Sequence, residues 1–319
     1  MIYPNRIPLA NIPTPVQKLK FNDCSFLIKR DDFTGLELSG NKVRKLEYLL
    51  YKAKKNRATL IFTCGGEQSN HSRATVAAAK AAGIRTKLFL WGKESTKAEG
   101  NLFIDKFLDA EICYLSKNEY FSVDGIMEAN RLELEKKGEK VFVIPEGGSS
   151  ALGIWGYINF IDELKKQTDI KKIKGILTAA GSGGTSAGLL VGAAMNKLNT
   201  KIIAVNVLYP ASEIRAKILS LAQQCVEEFR LPCRIDEKNL EVMDGYSVEG
   251  YKNITDEKLR VIKSFAQSTG IILDPAYTGK AFYAFNENFL KNKKNTGVLF
   301  VHTGGLFGVF SKTKKYLSV

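Results

Sequence analysis

Short runs of apolar, often β-branched residues alternate along this chain with longer segments in which apolar positions recur every three or four residues. The short runs predict strands, which cover residues 26–29, 59–64, 86–91, 111–115, 141–145, 175–179, 201–208 and 298–302. The longer segments predict helices, which cover residues 43–54, 72–82, 100–108, 126–137, 152–166, 186–197, 212–228, 256–268 and 279–289. Strands separated by helix-length segments are typical of βαβ units, so the pattern predicts an α/β fold with parallel sheets flanked by helices.

Four turns that follow predicted strands are rich in glycine and small polar residues. They read CGGEQSNHS (64–72), PEGGSSALG (145–153), AAGSGGTSAG (179–188) and HTGGLFG (302–308). In open α/β sheets ligands bind outside the carboxyl ends of the strands, where glycine allows a close approach of the backbone. Several such turns meeting at one edge predict a site for a small anionic ligand.

The turn at 179–188 has the features of a phosphate cup. A strand ends before it and a helix follows it, so its free backbone N–H groups and the positive end of the helix favour an anion. Ser182 and Thr185 add hydroxyl donors. The glycine order matches neither G-x-x-x-x-G-K nor G-x-G-x-x-G, which favours one phosphate over a dinucleotide. The alternative is a tight strand-to-helix turn in which glycine only relieves backbone strain.

Three consecutive polar residues, Gln68, Ser69 and Asn70, precede the helix predicted from residue 72. A serine or asparagine there is the expected N-cap, and one cap satisfies that need. The additional donors, with the amides of the helix start, indicate a carboxylate site. His71 is interpreted in the first instance as an ordinary helix-start residue.

Lys42 stands at the start of the first predicted helix, in the stretch SGNKVRKLEYLL, and Lys45 follows one turn later. A lysine is electrostatically disfavoured at a helix N-terminus. A cationic setting lowers the pKa of a lysine, and the free amine is then available for Schiff-base chemistry. Lys45 would reach a phosphate beside it. The alternative is a pair of exposed surface lysines.

Five motifs, taken together, resemble one enzyme family. SGNKVRKLEYL, QSNHSR, GSGGTSAGL, DPAYTGKA and HTGG occur in the order typical of the D-cysteine desulfhydrase and 1-aminocyclopropane-1-carboxylate deaminase family. The resemblance covers nearly the whole chain. It implies the two-domain, fold type II (tryptophan-synthase-β-like) architecture of pyridoxal-phosphate enzymes, with a large domain at 1–44 and 155–319, a small inserted domain at 45–154, and a homodimer.

The resemblance also implies roles for individual positions. Lys42 matches the lysine that binds pyridoxal 5'-phosphate covalently, and Asn70 matches the residue that binds the ring hydroxyl. Tyr277 and Tyr251 match two catalytic tyrosines, with Tyr246 as a competitor for the second position, and Ser69 is expected among the catalytic residues as well. The phosphate contacts match Lys45, Ser182, Gly183, Gly184 and Thr185, and the substrate-binding positions match Gln68, Ser69, Asn70 and His71.

Two further positions indicate the reaction. Deaminases of the family have Glu after the tyrosine and Leu after the late histidine, where this chain has Thr278 and Thr303. A neutral hydroxyl at the cofactor's pyridine nitrogen gives a weaker electron sink than a carboxylate. Loss of a thiolate needs less than opening a cyclopropane, so the resemblance implies β-elimination, most specifically of D-cysteine to pyruvate, hydrogen sulfide and ammonia.

Other reactions remain open at this level. The alternatives are a ring-opening deaminase, or a lyase for another small amino acid with a sulfonate, chloro or hydroxy substituent. Glu67, which replaces the usual apolar residue of the family, would either repel an anionic substrate, recruit a cationic one, or point to solvent.

Composition changes this picture little. The five cysteines are scattered without a C-x-x-C pair and there are two histidines, so we expect reduced thiols and no metal site. The net charge of +14 raises nucleic-acid binding as an alternative, but the lysines are spread along the chain, so we expect no nucleic-acid partner. Residues 1–15 lack an apolar run, and the weakly polar window 175–195 is rich in Gly, Ser and Thr. We therefore expect a cytoplasmic protein without membrane contact.

Overall fold

A computed structural model of the chain describes residues 3–94, 97–291, 295 and 297–319. The strands are β1 (Val16–Phe21), β2 (Cys24–Arg30), β3 (Leu60–Gly66), β4 (Arg85–Trp91), β5 (Glu111–Leu115), β6 (Val141–Val143), β7 (Gly175–Ala180), β8 (Lys201–Asn206), β9 (Leu240–Met243) and β10 (Val298–His302). The α-helices are α1 (Asn41–Lys55), α2 (Asn70–Ala81), α3 (Gly100–Phe107), α4 (Lys117–Tyr120), α5 (Val123–Lys136), α6 (Trp155–Gln167), α7 (Gly184–Met195), α8 (Ala211–Glu228), α9 (Asp256–Thr269), α10 (Thr278–Phe285), α11 (Leu306–Phe310) and α12 (Thr313–Leu317).

The strands of the described residues form two sheets. One has the order β1-β2-β10-β7-β8-β9 and the other has the order β5-β4-β3-β6. All neighbours are parallel except β1 and β2, which form an antiparallel hairpin. The predicted α/β class with parallel sheets flanked by helices is therefore confirmed.

The sequence pattern did not predict two of the strands. The first, β1, reads VQKLKF and has lysines at alternate positions, which suits a half-exposed edge strand next to β2. The second, β9, has only four residues, LEVM, and lies at the other edge of the same sheet. Edge strands bury less apolar surface, so their hydrophobic signal is weak.

The small residues of α7 place its N-terminus at the end of β7. This helix is buried along nearly its whole length and packs against α6. A Cβ at Gly188 would lie 2.5 Å from the Ile154 carbonyl oxygen, and one at Gly192 would lie 2.8 Å from that of Ile158. Glycine therefore permits a separation of the two helices that larger residues would prevent.

A buried charge network fixes the orientation of α1, which carries both candidate lysines. The Arg44 guanidinium donates to Asp31 at 2.9 Å and to Glu163 of α6 at 2.8 Å. Asp31 also accepts from the hydroxyl of Tyr157 at 2.5 Å. Removing one partner of such a buried pair typically costs about 3–5 kcal/mol. The network therefore holds the start of α1 against the six-stranded sheet.

The predicted domain border at residues 44 and 45 lies within α1, which contacts α2 and α6. Strands β3 to β6 all come from residues 60–143, and the other sheet uses residues 16–30 and 175–302. All five cysteines are free. Within the described ranges, no helix combines the length and the apolar character that a membrane crossing requires.

Candidate active site

A cleft of about 1180 Å³ opens where the turns after β3, β7 and β10 meet the start of α1. Most of the residues singled out in the sequence line it, although they come from distant parts of the chain. They are Lys42, Lys45, Ser69, Asn70, His71, Ser182, Gly183, Gly184, Thr185, Tyr251, Tyr277 and Thr303. Gln68 and Thr278 are not among its lining residues.

Lys42 is a half-buried amine held inside this cleft. Its Nζ donates to Asn41 Oδ1 at 3.1 Å, and Asn41 Nδ2 donates to Thr185 Oγ1 at 2.9 Å. Burial lowers the pKa of Lys42 to about 8, although the charges of Asp274 and Glu146 oppose the shift. The sequence predicted a lowered pKa from a cationic setting, whereas desolvation is the larger cause.

Lys45 is a buried lysine, and its charged form would be stabilised by a bound anion. Its Nζ donates to the Gly147 carbonyl at 3.0 Å and to Ser149 Oγ at 3.2 Å. Burial, aided by the charge of Lys42, holds the pKa of Lys45 well below its ordinary value. In the part of the chain that the structure describes, no carboxylate lies within salt-bridge distance of it. An unpaired buried charge is costly, so the site favours a bound anion.

The start of α7 supplies the other half of the anion site. Gly183 is the N-cap residue with φ of 82°, and no side chain caps the first N–H groups of the helix. The hydroxyls of Ser182 and Ser149 are 2.8 Å apart at its mouth. A Cβ at Gly184 would lie 2.5 Å from Lys45 Nζ, so glycine keeps this space open. The predicted phosphate cup is thus lined by backbone amides without side-chain caps, by hydroxyls and by one buried lysine.

The turn before α2 uses part of its polar side chains for structure. Ser69 Oγ caps the helix by accepting from the Ser72 N–H at 3.1 Å. Gln68 accepts from the Asn101 N–H at 3.0 Å and donates to the Glu99 carbonyl at 2.9 Å, away from the main cleft. Asn70 accepts from Asn101 Nδ2 at 2.9 Å and still lines the cleft.

His71 is buried beneath the two lysines. Its Nε2 pairs with Thr63 Oγ1 at 2.8 Å. Burial, together with the charges of Lys42 and Lys45, holds the pKa of His71 well below its ordinary value, so the imidazole is neutral. A neutral imidazole there adds no third positive charge to the cleft.

Two tyrosine hydroxyls meet in the lining of the cleft, where the Tyr277 ring lies against Gly181 of the turn after β7. The Tyr251 and Tyr277 oxygens are 2.7 Å apart, and the Tyr277 ring centroid is 5.8 Å from Lys42 Nζ. Burial raises the pKa of both phenols, so both are protonated at neutral pH. Tyr246, the competing candidate, instead accepts from Asn288 Nδ2 at 2.7 Å and is not part of the cleft lining.

The two threonines have different surroundings. Thr278 is fully buried and its hydroxyl donates to Asp274 at 2.5 Å. Thr303 lines the cleft, and its carbonyl accepts from the Asn41 N–H at 3.0 Å, next to Lys42. Asp274 also accepts from the N–H groups of Ala276, Tyr277 and Thr278, which fixes the start of α10.

Sequence reasoning missed several residues of the site. Asn41, Ser149 and Asp274 each stand inside a motif quoted above, and an aspartate shortly before a helix start, as in DPAYT, is a signal for side-chain bonds to the backbone N–H groups there. Glu146 lines the cleft and accepts from the hydroxyls of Tyr120 at 2.9 Å and Tyr209 at 2.7 Å. The two tyrosines have no local signal, because they approach Glu146 only in the folded chain.

The cleft therefore has an amine of lowered pKa at Lys42, a separate anion cup with a second buried lysine, and protonated phenols. This donor set fits a phosphorylated aldehyde, since the amine forms the imine and the cup takes the phosphate.

Comparison with known proteins agrees with this chemistry. A provisionally named 1-aminocyclopropane-1-carboxylate deaminase of Thermotoga maritima is 44% identical, over 97% of this chain and 99% of the relative. The mitochondrial bifunctional D-cysteine desulfhydrase/1-aminocyclopropane-1-carboxylate deaminase of Arabidopsis thaliana is 36% identical, over 98% and 80%. A solved structure described as an ACC deaminase homologue superposes with a TM-score of 0.91 at 36% identity, over 99% and 96%. The family described as pyridoxal-phosphate dependent enzyme matches residues 7–304, and the chain, with pyridoxal phosphate as its cofactor, belongs to that family.

Proposed function

We propose that this enzyme is a lyase that removes the β-substituent of a small amino acid, with D-cysteine as substrate and pyruvate, hydrogen sulfide and ammonia as products. The observation that carries the proposal is Thr303, whose neutral side chain lines the cleft next to Lys42. A hydroxyl leaves the pyridine nitrogen less protonated than a carboxylate does, and thiolate loss tolerates the weaker electron sink. The Arabidopsis relative carries both activities in its name, which makes ring-opening deamination the second candidate.

In this proposal, different residues of the cleft bind different groups of the cofactor. Lys42 would hold the aldehyde carbon, and Asn70 would hold the ring hydroxyl. Thr303 would face the ring nitrogen, while Thr278 would act through Asp274. The phosphate would be held by Lys45, Ser182, Gly183, Gly184 and Thr185. When bound, pyridoxal phosphate supplies an electron sink for the pair released at the substrate α-carbon.

Lys42 takes the α-proton of the substrate. A general base works best when its pKa is near the working pH, and burial places the pKa of Lys42 at about 8. Ser69, Asn70 and the first amides of α2 hold the substrate carboxylate. Gln68 contributes through its bonds to the 99–101 segment, and neutral His71 keeps the base from facing a further cation.

The tyrosine pair supplies a proton to the leaving group. Because the Tyr251 and Tyr277 oxygens share one hydrogen bond, the second hydroxyl hydrogen is free for the substrate. The raised pKa of both phenols keeps that hydrogen in place at neutral pH. A proton delivered to the sulfur of the substrate thiol as the carbon–sulfur bond breaks lets it leave as hydrogen sulfide.

Family membership is also the basis for two structural proposals. One is the division into a large domain, residues 1–44 and 155–319, and a small domain, residues 45–154, with Lys42 at the junction. The other is assembly as a homodimer. Analytical ultracentrifugation of the holoenzyme measures the second directly.

A substrate panel tests the reaction. With D-cysteine the enzyme is expected to release pyruvate and sulfide in equal amounts. Its kcat/KM for D-cysteine should exceed that for 1-aminocyclopropane-1-carboxylate, scored as 2-oxobutyrate, by at least about tenfold, which is 1.4 kcal/mol in the barrier. L-cysteine, 3-chloro-D-alanine and D-serine complete the panel. A larger kcat/KM for the cyclopropane would assign the enzyme to the second candidate function.

The two threonines provide a matched test of which side chain faces the ring nitrogen. Thr303→Val is expected to lower kcat by about tenfold or less, the value of one hydrogen bond, with little change in Tm. Thr278→Val removes a donor from buried Asp274, so it should lower Tm by several degrees. Turnover and thermal unfolding of the two variants are compared. The reverse pattern would reassign the role to Thr278.

A further inference from the structure

Glu67 and Lys252 form an ion pair between loops of the two sheets. Glu67 lies in the turn between β3 and α2, two residues before Ser69. Lys252 directly follows Tyr251 in the segment between β9 and α9. The Lys252 Nζ is 3.3 Å from Glu67 Oε2, and the side chains are 29% and 24% exposed. The pair thus joins the proposed carboxylate site to the loop that carries a proposed catalytic tyrosine.

The charged groups of Glu67 and Lys252 both contact the end of β4 or the residues just after it. The Lys252 ammonium lies 4.1 Å from the centroid of the Trp91 ring, within cation–π range. The Glu67 Oε1 accepts from the Lys93 N–H at 3.2 Å. The Trp91 indole lies against Gly66, where a Cβ would come within 2.8 Å of its Nε1. These contacts of Lys252 with Trp91 and of Glu67 with Lys93 distinguish the pair from two isolated surface side chains.

The segment around Tyr251 has little regular backbone structure of its own. Contacts from lysine side chains therefore hold it in position. The fully buried Lys280 of α10 donates to the carbonyls of Gly250 at 2.7 Å and Tyr251 at 3.3 Å. Lys280 makes these contacts from the side of the six-stranded sheet, and they fix only the backbone of the segment. Lys252 provides the contact from the other side of the cleft.

The surroundings of the pair agree with a role at the edge of the site. Glu67 and Lys252 line a side cavity of about 220 Å³, which shares Asn70 and Tyr251 with the main cleft. Because Glu67 is paired, its carboxylate does not stand as an isolated negative charge beside Ser69. The apolar-to-acidic change at position 67 is thereby compensated by a cation 185 residues away.

We propose that Glu67 and Lys252 are positioning residues, which hold Tyr251 at the hydrogen bond it makes with Tyr277. The inference rests on the proposed function in one respect, namely that Tyr251 faces the substrate. The pair touches neither substrate nor cofactor in this proposal, and it acts only through Tyr251.

The placement of Tyr251 can be measured without turnover. Holoenzyme labelled with 3-fluorotyrosine is examined by ¹⁹F NMR, and the Tyr251 resonance is assigned as the one absent from Tyr251→Phe. The resonance is expected to shift in Glu67→Gln and in Lys252→Met. It should keep its wild-type position in Lys252→Arg, since arginine preserves both the ion pair and the stacking on Trp91. The matched control is Glu133→Gln with Lys137→Met, an exposed pair at the C-terminal end of α5 at 2.6 Å.

A double-mutant cycle on turnover completes the test. Glu67→Gln and Lys252→Met should each lower kcat by about tenfold through misplacement of Tyr251, with KM within twofold of wild type. The double variant should also lose about tenfold, because each single change already removes the same contact. A loss of about 100-fold in the double variant, an unmoved Tyr251 resonance, or failure of Lys252→Arg to restore kcat would each overturn the proposal. Absence of lyase activity in wild type would refute the proposed function, and the resonance would still decide whether the pair positions Tyr251.

Discussion

Replacing Lys42 with alanine is expected to lower turnover by at least about 10³-fold, the scale on which a positioned proton-transfer group acts. In the proposed mechanism the variant loses both the covalent attachment of the cofactor and the base that takes the α-proton. The absorbance band of the covalently bound cofactor, near the edge of the visible range, should disappear together with the activity. Absorbance spectra and turnover with D-cysteine measure the two effects on one sample.

Lys52→Ala is the matched control for this experiment. Lys52 belongs to the same helix, α1, but its side chain is exposed. The control should keep the spectrum, the activity and the stability of wild type. Borohydride reduction followed by peptide mapping should place the cofactor label on Lys42. A label on another lysine, or retained colour and activity in Lys42→Ala, would refute the proposed assignment.

Lys45→Met should weaken cofactor binding and strengthen the cofactor-free fold. A hydrogen bond to a charged group contributes about 1.5–3 kcal/mol, so affinity for pyridoxal phosphate should fall roughly 10- to 150-fold. Without the cofactor, the buried Lys45 amine has no carboxylate partner within salt-bridge distance among the described residues, and methionine removes the desolvation cost of that polar group. We expect the Tm of the cofactor-free variant to rise by about 2–5 °C.

The pH dependence of stability has a definite sign. Because the pKa of Lys45 is lowered in the fold, the unfolded chain binds more protons than the folded chain. The stability of cofactor-free wild type therefore rises with pH between the lowered pKa and the ordinary lysine value of 10.5. Lys42 adds a rise in the same direction in both proteins, so the difference between wild type and Lys45→Met isolates Lys45.

Urea unfolding at several pH values, with and without the cofactor, measures both effects of Lys45→Met. Lys52→Met is the control, and it should show neither the affinity loss nor the reduced pH slope. A cofactor-free variant less stable than wild type would show that Lys45 is satisfied without an anion. Unchanged affinity for pyridoxal phosphate would remove Lys45 from the phosphate site.

Local features of the sequence were sufficient for the fold class and for much of the cleft. Alternation of short apolar runs and amphipathic segments predicts the parallel sheets, because each period reflects the backbone geometry of its own element. Lys42, Lys45 and the turn at residues 181–185 could also be identified from the sequence as candidate site residues. A lysine at a helix start and a glycine run between a strand and a helix are short motifs, and the chemistry that each indicates depends on only a few neighbouring residues.

Only the tertiary structure decided which equivalent candidates meet. Tyr251 reaches Tyr277 while Tyr246 does not, and Thr303 lines the cleft while Thr278 binds Asp274. The partner of Glu67 lies 185 residues away, and no pattern near position 67 indicates it. Such pairings depend on the order in which strands join the two sheets and on the loops that cross the cleft, so the free energy that selects them is non-local. The chain's own periodicity and turn chemistry thus determined where a site would form, and packing between distant segments determined which side chains complete it.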